Sequence, residues 1–356
     1  MKIFDNPPIC IVIGTYFRAE SLVKVLDSIL ALNYPKELIE VVIVVDPHDE
    51  EALNVIKRFM SNGSNVRFRT VTLDINSADR GRNLGIMGCD SEVVAVVDDD
   101  VVLHPETVNV ALRHLRDEKV AAIGFPAISV SRPLGERLHH WRFLGLKAVE
   151  VFTVMPLTFF RRSVLLKVGL YREDMGPPLT IHEDWELGSR IRRYGYKVIV
   201  SGELQMTHLI ERPASKGKSI ALAQHKRGTL VHKLGDVIKS AVHYARAYVD
   251  KHWWSFFQVL RVSPLSQKLE YVLYYLIPPT AVLLLVLDVF WFLVFLLATL
   301  TLVEVYSFVR GYYRVLSIWE RLAYPPILVL VRVTRSYLAL AGLLYNTIRK
   351  GIGRLG

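Results

Sequence analysis

Two cysteines in 356 residues, Cys10 and Cys89, are too few for a disulfide framework. No CxxC pair occurs and no Cys/His spacing matches a zinc cage, which excludes a small stapled or zinc-built fold. Cys10 lies in the apolar run 9–13 and reads as a small core residue. Residues 1–16 lack the apolar run of a secretory signal, so the first domain is expected to be made and kept in the cytoplasm. No internal repeat and no low-complexity segment is present, which removes solenoids and disordered arrays from consideration.

A further absence is more telling. Residues 269–309 contain no Lys or Arg, and only Glu270, Asp288 and Glu304 are acidic. A spanning helix needs about 20 mostly apolar residues, and this run is about twice that, so it predicts two spans with a turn near Asp288. Basic residues crowd on both sides of it. Residues 205–268 hold 11 Lys/Arg against 3 Asp/Glu, and residues 310–356 hold 8 against 1, whereas residues 1–204 are nearly balanced at 25 against 27. Positive flanks place both ends of such a hairpin on the cytoplasmic side and favour contact with anionic headgroups of a lipid bilayer. The expected location is therefore the cell membrane, multi-pass, with a cytoplasmic first domain. A nucleic-acid partner is set aside, because the positive charge adjoins a hydrophobic hairpin.

The first 204 residues alternate strand-like runs (9–13, 41–45, 66–71, 93–97, 120–125) with helical patterns (19–32, 50–59, 80–88, 105–116). Such alternation predicts an α/β fold: a mostly parallel, Rossmann-like sheet with helices on both faces. Ligands of these sheets bind beyond the carboxyl ends of the strands, where Asp46 and Asp98-Asp99-Asp100 fall. Farther on, residues 241–262 mix basic side chains with Trp253, Trp254, Phe256 and Phe257, which predicts an amphipathic interfacial helix. An ordinary surface helix with a core face is the alternative. Residues 322–347 are apolar but interrupted by Arg332 and Arg335, and are also expected to lie at the interface. The predicted organisation is a catalytic domain at 1–230, amphipathic helices at 231–268, two transmembrane helices at 269–309 and a basic interfacial segment at 310–356.

Three adjacent carboxylates after a buried strand raise one another's pKa, and a cation relieves the repulsion. Asp98 and Asp100 are spaced so that one can hold a nucleotide and the other a metal, and oxygen ligands suit Mg²⁺ or Mn²⁺. A solvated acidic turn is the plainer reading. His182-Glu183-Asp184-Trp185 opens another helical pattern, where acids also serve as ordinary dipole partners. Gln224 and Arg227, three apart, share a helix face from which Arg227 can meet a diphosphate, or simply face solvent.

The order of these pieces resembles the family-2 glycosyltransferases of the GT-A fold over about residues 8–230. The resemblance rests on Ile13-Gly14-Thr15-Tyr16-Phe17-Arg18, on Asp46, and on Gly81-Arg82-Asn83-Leu84-Gly85. It continues through Asp98–Asp100, Phe160-Arg161-Arg162-Ser163-Val164, Val168-Gly169-Leu170-Tyr171 and Glu183-Asp184. The downstream half is similar to a short cellulose-synthase-like enzyme, but Gly228 stands where that branch has the tryptophan of its Q-x-x-R-W motif.

The resemblance implies site roles. Thr15, Asp46, Arg82, Asn83, Asp98, Asp99, Glu183, Gln224 and Arg227 would contact the nucleotide-sugar. Asp184 would be the general base. Asp100 would bind the divalent metal, with His208 a further ligand or else a structural or phosphate-facing histidine. It also implies an inverting transfer of a hexose to a polyprenyl-linked or other membrane acceptor, with GDP-mannose favoured over a UDP-hexose as donor. A processive polysaccharide synthase and a non-catalytic membrane scaffold are the two rivals.

Overall fold

The computed structural model describes residues 6–74, 77–129, 140–175, 182–209, 249, 253–314 and 316–352. Chain contacts divide it into two units, Met1–Ser219 and Ile220–Gly356.

The first unit is built on an eight-stranded sheet. Its strands are β1 (Ile9–Thr15), β2 (Ile39–Val45), β3 (Arg67–Thr72), β4 (Val93–Asp98), β6 (Val120–Gly124), β8 (Val149–Glu150), β9 (Leu157–Arg161) and β10 (Lys197–Val200), in the spatial order β3-β2-β1-β4-β9-β6-β10-β8. Pairings among β3, β2, β1 and β4 and between β6 and β10 are parallel; β9 runs antiparallel between β4 and β6. The sequence predicts β1, β2, β3, β4 and β6 within a few residues of where they lie, but not the parallel β10 or the antiparallel β8 and β9. A small second sheet joins β5 (Val101–Val102), β11 (Met206–His208) and β7 (Ala127–Ile128).

Both faces of the large sheet are covered, which is why its central strands read as unbroken apolar runs. Because side chains alternate across a strand, Ile9, Ile11 and Ile13 enter one core with Leu22, Ile29 and Ile56. Cys10 and Val12 enter the other, with Ile86, Leu165 and Leu187. The first core is roofed by α1 (Ala19–Leu30), α2 (Glu50–Met60) and α4 (Thr107–Leu115), and the second by α3 (Ala78–Met87), α5 (Arg162–Val168) and α6 (Glu183–Arg193). Local signals agree with this packing. Asp49 caps α2 by accepting from Ala52 N at 3.1 Å, and acids at its start and bases at its end suit the helix dipole.

The absence of a disulfide expected from two distant cysteines is corrected by the structure: Cys10 and Cys89 are bonded. The cause is the close seating of α3 on β1. A Cβ on Gly85 would lie 2.2 Å from Val12 Cγ1, so only glycine permits the approach. Cys89 is one helical turn beyond Gly85, and Cys10 is two residues before Val12 on the same strand face, so the two sulfurs meet.

The second unit contains α7 (Trp253–Val262), α8 (Leu265–Leu287), α9 (Val289–Val309) and α10 (Ile318–Ile352). Helices α8 and α9 are long and apolar enough to cross a membrane. The predicted turn at Asp288 is there, and its carboxylate caps α9 by accepting from Phe290 N at 2.7 Å. Val286, Leu287, Trp291, Leu297 and Phe308 stand more than half exposed on this hairpin. So much contiguous apolar surface is costly in water and suits contact with lipid. Tyr275 Oη donates to Ser336 O at 3.0 Å, Tyr337 Oη to Tyr275 O at 2.8 Å, and Arg332 pairs with Glu270, which fastens α10 to α8. The amphipathic pattern expected over 241–262 is helical over its described part, α7; its earlier residues, apart from Val249, lie outside the described residues.

Candidate active site

Strands β1, β2 and β4 end side by side, so Thr15, Asp46 and Asp98 arrive together at the carboxyl edge of the sheet. Asp46 is buried, and its carboxylate accepts from His48 N at 2.8 Å. The three adjacent aspartates diverge. Asp98 receives Arg82 Nη2 at 3.1 Å. Asp99 turns inward, accepting from Thr15 Oγ1 at 2.9 Å and Arg18 Nη1 at 3.1 Å. Burial pushes its carboxyl up to about 7 despite the Arg18 guanidinium. Asp100 accepts from Arg18 Nη1 at 2.7 Å on Oδ2, and its Oδ1 lies 3.5 Å from His208 Nε2. The small second sheet makes that last contact: β11 pairs with β5, setting His208 opposite Val101, the residue after Asp100.

A second set of acids comes from far along the chain. His182, in the left-handed region at φ 71°, turns the backbone into α6, which therefore begins with Glu183 and Asp184. Gly188 on the same helix lets the chain at 152–153 pass close by, since a Cβ there would lie 2.5 Å from Phe152 O. Val154 N donates to Asp184 O at 3.1 Å.

Arg82 collects these groups. Its Nη1 is 3.1 Å from Asp79 and 3.5 Å from Glu183, its Nη2 reaches Asp98, and its guanidinium lies over the Tyr171 ring at 5.3 Å. One cation thus serves several carboxylates, which leaves the cluster short of positive charge. Burial raises Glu183 even though Arg82 opposes it. Half-buried Asp184 is held well above the usual carboxylate range, first by burial and then by Glu183, with Arg82 offsetting part of this.

The family model described as glycosyltransferase-like family 2 matches residues 7–229. The chain belongs to this family. It is a glycosyltransferase, and its fold is similar to solved members of the class. The mannosyltransferase PcManGT from Pyrobaculum calidifontis, in complex with GDP-Man and Mn²⁺, superposes with a TM-score of 0.54 at 17% identity, over 96% of this chain and 87% of that one. S. aureus TarS 1–349 in complex with UDP-GlcNAc gives a TM-score of 0.49 at 18% identity, over 62% of each chain. A further structure of S. aureus TarS 1–349 gives 0.48 at 18% identity, over 59% of this chain and 60% of that one. The chain therefore spans about three fifths of these TarS fragments. No curated protein matches by sequence.

Among the residues predicted for the site of this glycosyltransferase, Thr15, Asp99, Asp100 and His208 form one connected group through Arg18, and Arg82, Asp98 and Glu183 form a second, with Asp184 beside it. Asn83 is engaged elsewhere. Its side chain exchanges two hydrogen bonds with the Tyr171 backbone, at 2.8 and 2.9 Å, and ties the 169–173 loop to α3. Gln224 and Arg227 lie outside the described residues.

Three participants were not predicted. In the sequence Arg18 is part of a turn and Tyr171 part of a short motif, and neither position alone signals its carboxylate or guanidinium partner. Asp79 opens a helix, where an acid usually signals solvent, yet it is fully buried and its Oδ2 has no hydrogen-bond partner. Burial pushes Asp79 up to about 7, against the pull of Arg82.

Among the described residues no group of three His, Cys, Asp or Glu side chains is placed to hold a metal ion. Asp100 and His208 do converge as a pair. A carboxylate and an imidazole fit a Mn²⁺ or Mg²⁺ ion that takes its remaining ligands from diphosphate and water.

Proposed function

We propose that this glycosyltransferase transfers a hexose, with inversion, from a nucleoside diphosphate donor to a lipid-linked acceptor at the cytoplasmic membrane face. The observation that carries the reading is the meeting of Asp98 and Glu183 on Arg82 with Asp184 alongside, since it puts a carboxylate of raised proton affinity next to the candidate diphosphate site. A base of ordinary carboxylate pKa takes a proton from a sugar hydroxyl poorly, and one tuned upward does so better near neutrality. Asp184 would remove the acceptor hydroxyl proton as that oxygen attacks the anomeric carbon from the face opposite the departing diphosphate. Thr15 and Asp46 would line the nucleoside pocket, and Asp98 would meet the ribose or diphosphate. Arg82, Asp99 and Glu183 would bound the donor site, and Gln224 and Arg227 would approach the leaving group. Asp100 and His208 would hold the divalent metal. Bound there, Mn²⁺ or Mg²⁺ would neutralise charge developing on the leaving diphosphate.

Mannose from GDP-mannose is the favoured donor. Support comes from the family resemblance and from likeness in fold, over nearly the whole chain, to a mannosyltransferase in complex with GDP-Man. The apolar α8–α9 hairpin supports a membrane-held acceptor, such as a polyprenyl-linked one, and basic flanks support its orientation. A panel of GDP- and UDP-sugars, offered with a polyprenyl-linked acceptor and read by mass spectrometry, tests this. A single added mannose is expected. A ladder of products would instead favour a processive synthase, and no transfer or donor hydrolysis with any sugar would favour a scaffold.

A further inference from the structure

Arg18 occupies a position that the proposed metal site makes hard to explain. Its Nη1 lies 2.7 Å from Asp100 and 3.1 Å from Asp99, so one guanidinium neutralises the carboxylate assigned to the metal together with its buried neighbour. Asp100 has only two carboxylate oxygens, one facing Arg18 and the other facing His208. A divalent ion on Asp100 would lie within a few ångströms of this guanidinium, and two cations so close repel strongly where protein replaces water.

The surrounding structure separates what is fixed in this arrangement from what is free to move. The turn that carries Arg18 is pinned: Phe17 is in the left-handed region at φ 52°, and its N–H donates at 2.6 Å to Asp49, which is itself buried as the cap of α2. Leu22 N donates to Arg18 O at 3.0 Å, starting α1. The Arg18 side chain, by contrast, is about one third exposed (31%), and its bonds to described residues are made at its tip. Asp99 keeps the Thr15 hydroxyl whether or not Arg18 stays. The backbone is therefore held at the mouth of the site, while the guanidinium has solvent into which it can swing.

We propose that Arg18 is a resident counter-cation of the Asp99–Asp100 pair. It yields Asp100 to the divalent metal and moves to the incoming diphosphate. Metal binding is then weak in the empty enzyme and strong with nucleotide present, because the diphosphate supplies the anion that both cations need. This rests on the reading of Asp100 as a metal ligand, and the test separates the two ideas.

The experiment is a Mn²⁺ titration of the full-length protein in detergent, followed by electron paramagnetic resonance, with and without GDP, and repeated with UDP. Arg18→Gln is expected to bind Mn²⁺ about tenfold or more tightly than the parent when no nucleotide is present. It should lose most of that advantage once GDP or UDP is added, because it also lacks the diphosphate contact. Arg18→Lys, which keeps the charge, should stay near the parent. Arg18→Met, with an unbranched side chain of similar reach, should repeat the Gln result and guards against a folding defect peculiar to one variant. Unchanged or weaker Mn²⁺ binding by the folded Gln and Met variants overturns the proposal. Asp100→Asn decides the underlying reading: if it binds Mn²⁺ like the parent, Asp100 is not the ligand. If Asp100→Asn loses the metal while the Arg18 variants gain nothing, only the counter-cation idea fails.

Discussion

Breaking the Cys10–Cys89 bond should cost the catalytic unit much of its stability. The bond closes a loop with a sequence separation of 79 residues, and both sulfurs are fully buried. Chain-entropy reasoning for a loop of that length gives about 4.5 kcal/mol at 25 °C, an upper value, since compact unfolded chains lose less. For a unit of this size each kcal/mol moves the midpoint by roughly 2–4 °C, so the double variant Cys10→Ala/Cys89→Ala should melt roughly 10–15 °C below the parent. The bond links the start of β1 to a residue just beyond α3, away from the carboxyl edge, so turnover at a permissive temperature should change little. The assay is a thermal melt of parent and variant, with thiol alkylation and mass spectrometry on the unfolded parent. Because both sulfurs are buried, reductant added to the native protein should act only as fast as the unit opens. Two alkylated cysteines in the freshly purified, unreduced parent, or a shift below about 2 °C, would refute the reasoning.

Asp184→Asn should lower turnover by about 10²–10⁴-fold while calorimetry still detects donor binding. Asp46→Ala should do the reverse, weakening donor affinity more than turnover; an Asp184→Asn enzyme with near-parent turnover would remove Asp184 as the base. Because Asp184 is held above the usual carboxylate range by burial and by Glu183, the acid limb of kcat/KM should be displaced upward from the ordinary carboxylate position, and a limb at the ordinary position would contradict that. Asp79 is raised in the folded chain to about 7 from 3.8, so its contribution to stability is complete below about pH 4 and is lost as pH rises through 7. Asp79→Asn should therefore flatten the fall in ligand-free melting temperature between pH 5 and 8. Asp100→Asn, or EDTA applied to the parent, should abolish transfer, and full activity in chelator would count against a metal.

The legible part of the molecule was its periodic part. Unbroken apolar strands and capped amphipathic helices follow from local chemistry, so β1–β4 and β6, the helices between them and the Asp288 turn could be read directly, while β8, β9 and β10 could not. What escaped depends on encounters between distant segments. The reversal of β9 leaves no mark on a strand buried on both faces, since its residues look alike in either direction. The cysteine bond needed the seating of Gly85 on Val12, and that glycine, one turn before Cys89, was the available clue. Nothing in the sequence marks Asp79 as buried, because burial is decided by what packs above it. For the aspartate triplet and Glu183-Asp184, sequence order supplied the grouping, but the cations that tie them, Arg18 and Arg82, took their places only in three dimensions.

The reversed strand changes which parts of the chain are available for variation. In a wholly parallel sheet, only segments leaving strands can border the carboxyl edge. Here β9 enters the sheet at that edge: Pro156 O accepts from Asp98 N at 2.9 Å, and two residues earlier Val154 N reaches Asp184 O. The stretch before β9 therefore runs between the aspartate triplet and the candidate base. An insertion or exchange at 151–156 acts on both halves of the site at once, with the strand order left alone. For laboratory evolution of acceptor choice, these six positions form a compact library beside both the aspartate triplet and the candidate base.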